Sequence, residues 1–125
     1  METVHAALVV EDQPLIAVEL EQLLRDAGVD DTRTFTSCAD AEDWLDHHTP
    51  RIAVIETRLH DGGCEAIAKA LLDRNVPFIV HTVESSPARH VSALRDCTKW
   101  IEKPCKPELF LATLEDCLSE PMVAR

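Results

Sequence analysis

Ala6-Ala7-Leu8-Val9-Val10-Glu11-Asp12 is a continuous apolar run that ends in two carboxylates. A short apolar run with such an ending reads as a buried strand of a parallel sheet. Three further runs share the form. Ile52-Ala53-Val54-Ile55 meets Glu56, Phe78-Ile79-Val80-His81 meets Thr82, and Trp100-Ile101-Glu102 meets Lys103-Pro104. Ligands of open parallel sheets bind outside the carboxyl ends of the strands. These strands therefore bring three carboxylates, a hydroxyl and an ammonium to one pocket.

Segments of helical period separate the runs. Pro14 suits the first turn of a helix, Ile16, Leu20, Leu23 and Ala27 form one apolar face, and Gly28 ends it. A weaker strand covers Arg33 to Thr36, and Ser37 suits the N-cap of a helix burying Ala41, Trp44 and Leu45. Asp61-Gly62-Gly63 marks a loop before a helix that buries Ile67, Ala68 and Leu71. Ser86-Pro87 opens a fourth helix with a thin apolar face of Val91 and Leu94, and Pro107 starts a last one carrying Phe110, Leu111, Leu114 and Leu118. Five strand-helix repeats joined by right-handed crossovers predict an α/β fold, a five-stranded doubly wound parallel sheet. The 125 residues are expected to form a single domain, 1–125, with no room for a second.

The 23 Asp and Glu against 12 Lys and Arg give a formal net charge of -11. Such a surface repels phosphate backbones and anionic lipid, which disfavours nucleic-acid and membrane partners. The apolar runs are too short to span a bilayer and no signal peptide opens the chain, so a cytoplasmic location is expected. Cys38, Cys64, Cys97, Cys105 and Cys117 contain no C-x-x-C pair, which fits reduced thiols better than a disulfide framework or a zinc site. Cys105, beside the pocket, is the candidate for a reactive thiol. The histidines lack ligand spacing and read as surface or strand residues.

Glu11, Asp12 and Glu56 form a hard oxygen cluster whose mutual repulsion calls for a cation, and Mg²⁺ suits such ligands. Lys103 offers a compact positive charge to a phosphoryl oxygen or a carboxylate, and Thr82 offers a hydroxyl donor. These parts can position and neutralise a phosphoryl group.

The sequence resembles the receiver domains of two-component response regulators, in particular the chemotaxis-type single-domain regulators. The resemblance covers nearly the whole chain. Leu8-Val9-Val10-Glu11-Asp12, the Asp61-Gly62 loop, Pro77-Phe78-Ile79-Val80-His81-Thr82 and Lys103-Pro104 carry it. It implies a flavodoxin-like (βα)5 topology and a stand-alone module without an output domain or catalysis. Glu11 and Asp12 are then the Mg²⁺-holding pair, Thr82 the switch hydroxyl and Lys103 the phosphate-reading lysine. Trp100 matches the aromatic switch position, and the bond before Pro104 should be cis. The implied partners are a histidine kinase, a phosphotransfer protein or a downstream target, met through the fourth helix, fifth strand and last helix. Homodimerisation is left open.

One departure dominates. Glu56 occupies the position of the family's phosphorylated aspartate, and a misplacement of ~1 Å can lower a rate on the order of a hundredfold. Poor phosphorylation is expected, with Mg²⁺ bound weakly or not at all and Glu56 reaching Lys103 as a partial stand-in for a phosphorylated side chain. Val83 stands where the family keeps a small residue and should narrow access. By the family pattern Arg58 overhangs the pocket and Glu84 faces it, so the two are placed to form a lid, and Arg58 is equally placed to neutralise the acidic cluster and lower its need for metal. The alternatives are a receiver phosphorylated on another acceptor and, from a different class, a Mg²⁺-dependent phosphatase or phosphotransferase. The latter would want an aspartyl nucleophile and a substrate cap. A flavodoxin-like cofactor binder is disfavoured because Glu11-Asp12-Gln13-Pro14 would repel a phosphate.

Overall fold

Along Ala7–Val10 (β1), Leu8 and Val10 enter one apolar cluster while Ala7 and Val9 enter another. That is the two-residue period of a strand buried on both faces. The structure, a computed structural model, describes residues 2–83 and 99–119. Within them β1 is joined by Thr32–Phe35 (β2), Ile52–Ile55 (β3), Phe78–Thr82 (β4) and Lys99–Glu102 (β5). All pairings are parallel, in the order β2-β1-β3-β4-β5.

Helices cover both faces. Pro14–Asp26 (α1) and Pro107–Ser119 (α4) supply Leu20, Leu24, Phe110 and Leu114 to the Ala7/Val9 side. Cys38–Leu45 (α2) and Glu65–Asp73 (α3) supply Ala41, Leu45, Ile67, Ala68 and Leu71 to the Leu8/Val10 side. This is the doubly wound sheet that the alternation of runs predicts, with receiver topology.

Local details differ from the sequence reading. Strand β2 starts at Thr32 and stops at Phe35, because its register is set by Ala7 and Val10 on β1. The buried side of α1 is Ala17, Leu20, Leu23 and Leu24, with Ile16 and Ala27 only partly covered. The helix packs on α4 as well as on the sheet, which rotates its buried stripe away from a simple i, i+4 row. The same holds for α4, where Cys117 is buried and Leu118 is partly exposed.

The expected Asp61-Gly62-Gly63 loop contains a small antiparallel pairing of Arg58–Leu59 with Gly62–Gly63. Gly62 adopts φ +138°, a conformation that a side chain would strain. Asp61 accepts hydrogen bonds from the backbone N–H of Cys38 (2.8 Å) and Ala39 (3.1 Å), and the Ser37 hydroxyl accepts from that of Asp40 (3.2 Å). The two side chains together satisfy three amides that the first turn of α2 leaves open.

The helix expected from Ser86-Pro87, with Val91 and Leu94, lies outside the described residues, as do Glu84 and Cys97. Among the described residues no helix is long and apolar enough to cross a membrane.

Candidate functional site

Register brings the strand ends together. Val10 pairs with Ile55, Ile55 with Val80 and Thr82 with Glu102, so the residues that follow emerge on one edge of the sheet. The Glu56 amide donates to the Val10 carbonyl (2.9 Å) and the Lys103 amide to the Thr82 carbonyl (2.8 Å), which fixes where both side chains begin. The Lys103–Pro104 peptide bond is cis.

Lys103 lies at the centre of the site. Its Nζ donates to Glu11 Oε1 and to Glu56 Oε1, each at 2.7 Å. The lysine side chain is 7% exposed and those of Glu11 and Glu56 are 1% and 11% exposed. The remaining carboxylate oxygens are occupied too. Glu11 Oε2 accepts from the Gln13 amide (3.2 Å), and Glu56 Oε2 accepts from the Thr57 amide (2.7 Å) and the Thr57 hydroxyl (3.1 Å). Thr57 Oγ1 lies 3.3 Å from Thr82 Oγ1, which ties the Thr82 hydroxyl into the same network.

The network decides the charges. Burial alone would raise the pKa of Glu56, but hydrogen bonds from Lys103, Thr82 and Thr57 outweigh it and hold the carboxyl below its ordinary value. Burial alone would lower that of Lys103, but its bonds to Glu11 and Glu56 win and raise it. The result is a buried ion triad in which each charged group has partners, the condition for keeping charge out of water.

These residues do not fit a divalent cation. Mg²⁺ would need the carboxylate oxygens that Lys103, Gln13 and Thr57 already engage. Asp12 stands apart from the triad: its carboxylate is partly exposed, with His60 Nδ1 at 4.0 Å. Among the described residues no three His, Cys, Asp or Glu side chains are grouped to hold a metal ion. The three-carboxylate cluster of Glu11, Asp12 and Glu56 thus resolves into two carboxylates on one lysine, with the third outside.

The other expected site residues fall as follows. Thr82 is buried at the strand end. Trp100 is half-buried, packs against the Leu8/Val10 side and pairs in register with Val80. Val83 is 65% exposed, directly after the end of β4. Arg58 is exposed in its hairpin, and Glu84, its expected lid partner, lies outside the described residues. Cys105 is partly exposed, its Sγ donates to the Lys106 carbonyl (3.3 Å), and burial pushes its thiol up, away from a reactive thiolate.

Two participants escaped the sequence reading. Thr57 grips Glu56, and its signal was present in a second hydroxyl beside the strand-end carboxylate. His81 is 6% exposed and lies edge-on to Phe110 (centroids 5.1 Å apart). Its Nδ1 has no hydrogen-bond partner among the described residues. Burial, reinforced by the Lys103 charge, pushes its pKa down to about 4.

Solved structures share the architecture. The chemotaxis protein CheY4 of Vibrio cholerae is 22% identical with a TM-score of 0.77, over 92% of this chain and 99% of that one. The signal receiver domain of a signal transduction histidine kinase from Syntrophus aciditrophicus is 25% identical with a TM-score of 0.75, over 93% and 91%. The receiver domain of the sensor histidine kinase PA1611 from Pseudomonas aeruginosa PAO1 is 18% identical with a TM-score of 0.77, over 93% and 98%, and holds a magnesium ion in its active site cleft. No protein of curated function matches the sequence. The sequence model of the response regulator receiver domain matches residues 7–115, and the chain belongs to that family.

Proposed function

We propose that this two-component receiver domain is a pseudo-receiver, held near one state by Glu56 rather than switched by phosphorylation. One observation carries the reading: the ammonium of Lys103 is already engaged, at 2.7 Å, by the glutamate that replaces the acceptor aspartate. An incoming phosphoryl group would have to displace a buried carboxylate that is itself anchored by Thr57. It would also find Lys103 already committed to two carboxylates. The mimicry is partial, because a carboxylate carries one charge and two oxygens where a phosphate carries more of both.

The module acts by protein contact rather than catalysis, in the cytoplasm. Its partner is a histidine kinase, a phosphotransfer protein or a downstream target. Among the described residues, β5 and α4 form the contact surface; the helix expected from Ser86-Pro87 lies outside them. Mg²⁺ binds weakly or not at all.

Intact mass after incubation with acetyl phosphate and Mg²⁺ tests the reading. No adduct is expected, and a stoichiometric phosphate on Glu56 would overturn it. A companion experiment follows Trp100 fluorescence in a Trp44→Phe background with beryllofluoride and Mg²⁺. A response confined to Glu56→Asp supports a lost switch, whereas equal responses with glutamate and aspartate count against one.

A further inference from the structure

Two cysteines far apart in sequence meet beneath the site. Cys38 Sγ and Cys64 Sγ lie 3.3 Å apart, 26 residues apart along the chain, and both residues are buried. Cys38 is the first residue of α2, and Cys64 is the N-cap of α3. The Cys38 sulfur also lies 3.5 Å from the Gly62 carbonyl oxygen and 3.6 Å from that of Gly63, so the small hairpin roofs the pair. The Cys64 amide donates to the Thr57 carbonyl (3.0 Å), one residue from the carboxylate that Thr57 grips.

From this geometry we infer that Cys38 and Cys64 are a modification site, a dithiol that closes to an intramolecular disulfide. The sulfurs need to approach by about 1.3 Å to reach the bond length of about 2.05 Å. The oxidant is a small-molecule disulfide. One cysteine sulfur, as thiolate, attacks it, forming a mixed disulfide and expelling one small thiolate. The second cysteine sulfur then attacks the protein-bound sulfur and expels the other. Two electrons pass from the cysteine pair to the small disulfide, and the two cysteine protons end on the two released thiols. Burial raises the pKa of both thiols, Cys64 the more strongly. Attack therefore proceeds through opening of the Arg58–Leu59/Gly62–Gly63 hairpin, and exchange is slow compared with that of a surface thiol. The product staples the start of α2 to the start of α3, closing a loop that spans the site's third strand.

The test uses the full chain, folded, with oxidised glutathione, followed by alkylation of remaining thiols and peptide mapping. The expected product is one pair of peptides joined through Cys38 and Cys64, lighter by two hydrogens and restored by dithiothreitol. The oxidised chain should show a folded-to-unfolded ratio raised by roughly two orders of magnitude, read from its denaturant midpoint. Cys38→Ala and Cys64→Ser each remove that product, and either variant suffices if the other folds poorly. Recovery of both residues as free thiols, or only as separate glutathione adducts, from a chain that keeps its folded circular dichroism overturns the inference.

Discussion

The Lys103 ammonium and the Glu56 carboxylate meet at 2.7 Å although they extend from β5 and β3, strands separated by β4. The lysine crosses over the end of β4 and continues to Glu11 on β1. Removing it would leave two buried carboxylates facing each other. Lys103→Ala is expected to destabilise the fold by about 3–5 kcal/mol, measured by chemical denaturation. Glu56→Gln should cost less, since the amide oxygen still accepts from Lys103 and Glu11 still balances its charge. Equal losses would contradict the triad.

Magnesium sharpens the same point. Millimolar Mg²⁺ should leave the thermal midpoint of the natural chain unmoved, because Lys103 engages the oxygens the ion would need. In Lys103→Ala the freed carboxylates should take up the ion, and the midpoint should rise with Mg²⁺ concentration. A Mg²⁺-dependent rise in the natural chain alone would be the reverse of this expectation.

Acid sensitivity should trace to His81. Its folded pKa is pushed down to about 4 from an ordinary 6.5. As the pH falls, the unfolded chain takes up this proton first, so the contribution of the neutral ring is intact above pH 6.5 and drains away toward pH 4. His81→Leu should flatten the stability profile across that window. The later decline from Glu56, whose carboxyl is held below its ordinary 4.5, should remain. Parallel profiles for the natural chain and His81→Leu would remove His81 from the account.

The orientation of α1 gives a direct comparison. Leu24 is completely buried whereas Leu15 is 87% exposed. Leu24→Ala should cost about 2–5 kcal/mol, while Leu15→Ala should stay within about 0.5 kcal/mol of the natural chain. Urea denaturation separates the two.

The start of α2 offers another. Ser37→Ala removes one cap and should cost about 1 kcal/mol. Asp61→Ala removes the acceptor of two amides and should speed hydrogen exchange at Cys38 and Ala39 more than elsewhere in the helix. Uniform exchange along α2 in that variant would argue against the cap.

What the sequence made legible was whatever depends on strand ends. Once the apolar runs are aligned as parallel strands, Glu11, Glu56, Thr82 and Lys103 must share an edge, and the Glu56–Lys103 contact follows from side-chain reach. Which carboxylate completes the triad was harder to read. Glu11 and Asp12 are adjacent in sequence, and only the turn into α1 sends Glu11 inward and leaves Asp12 beside His60. Asp61 read as loop punctuation because its bonds to Cys38 and Ala39 span more than twenty residues, a distance no periodicity records. The pairing of Cys38 with Cys64 was hidden for the same reason. Spacing rules cover neighbours in sequence, whereas these sulfurs are neighbours only because two helices start side by side.

A lysine rooted at the rim and clasped at the middle makes the sheet's outermost strand and its interior mechanically one piece. A partner that pulls on β5 therefore strains both acidic anchors at once. Touch applied far from the carboxylates would be felt at them without any phosphate changing hands.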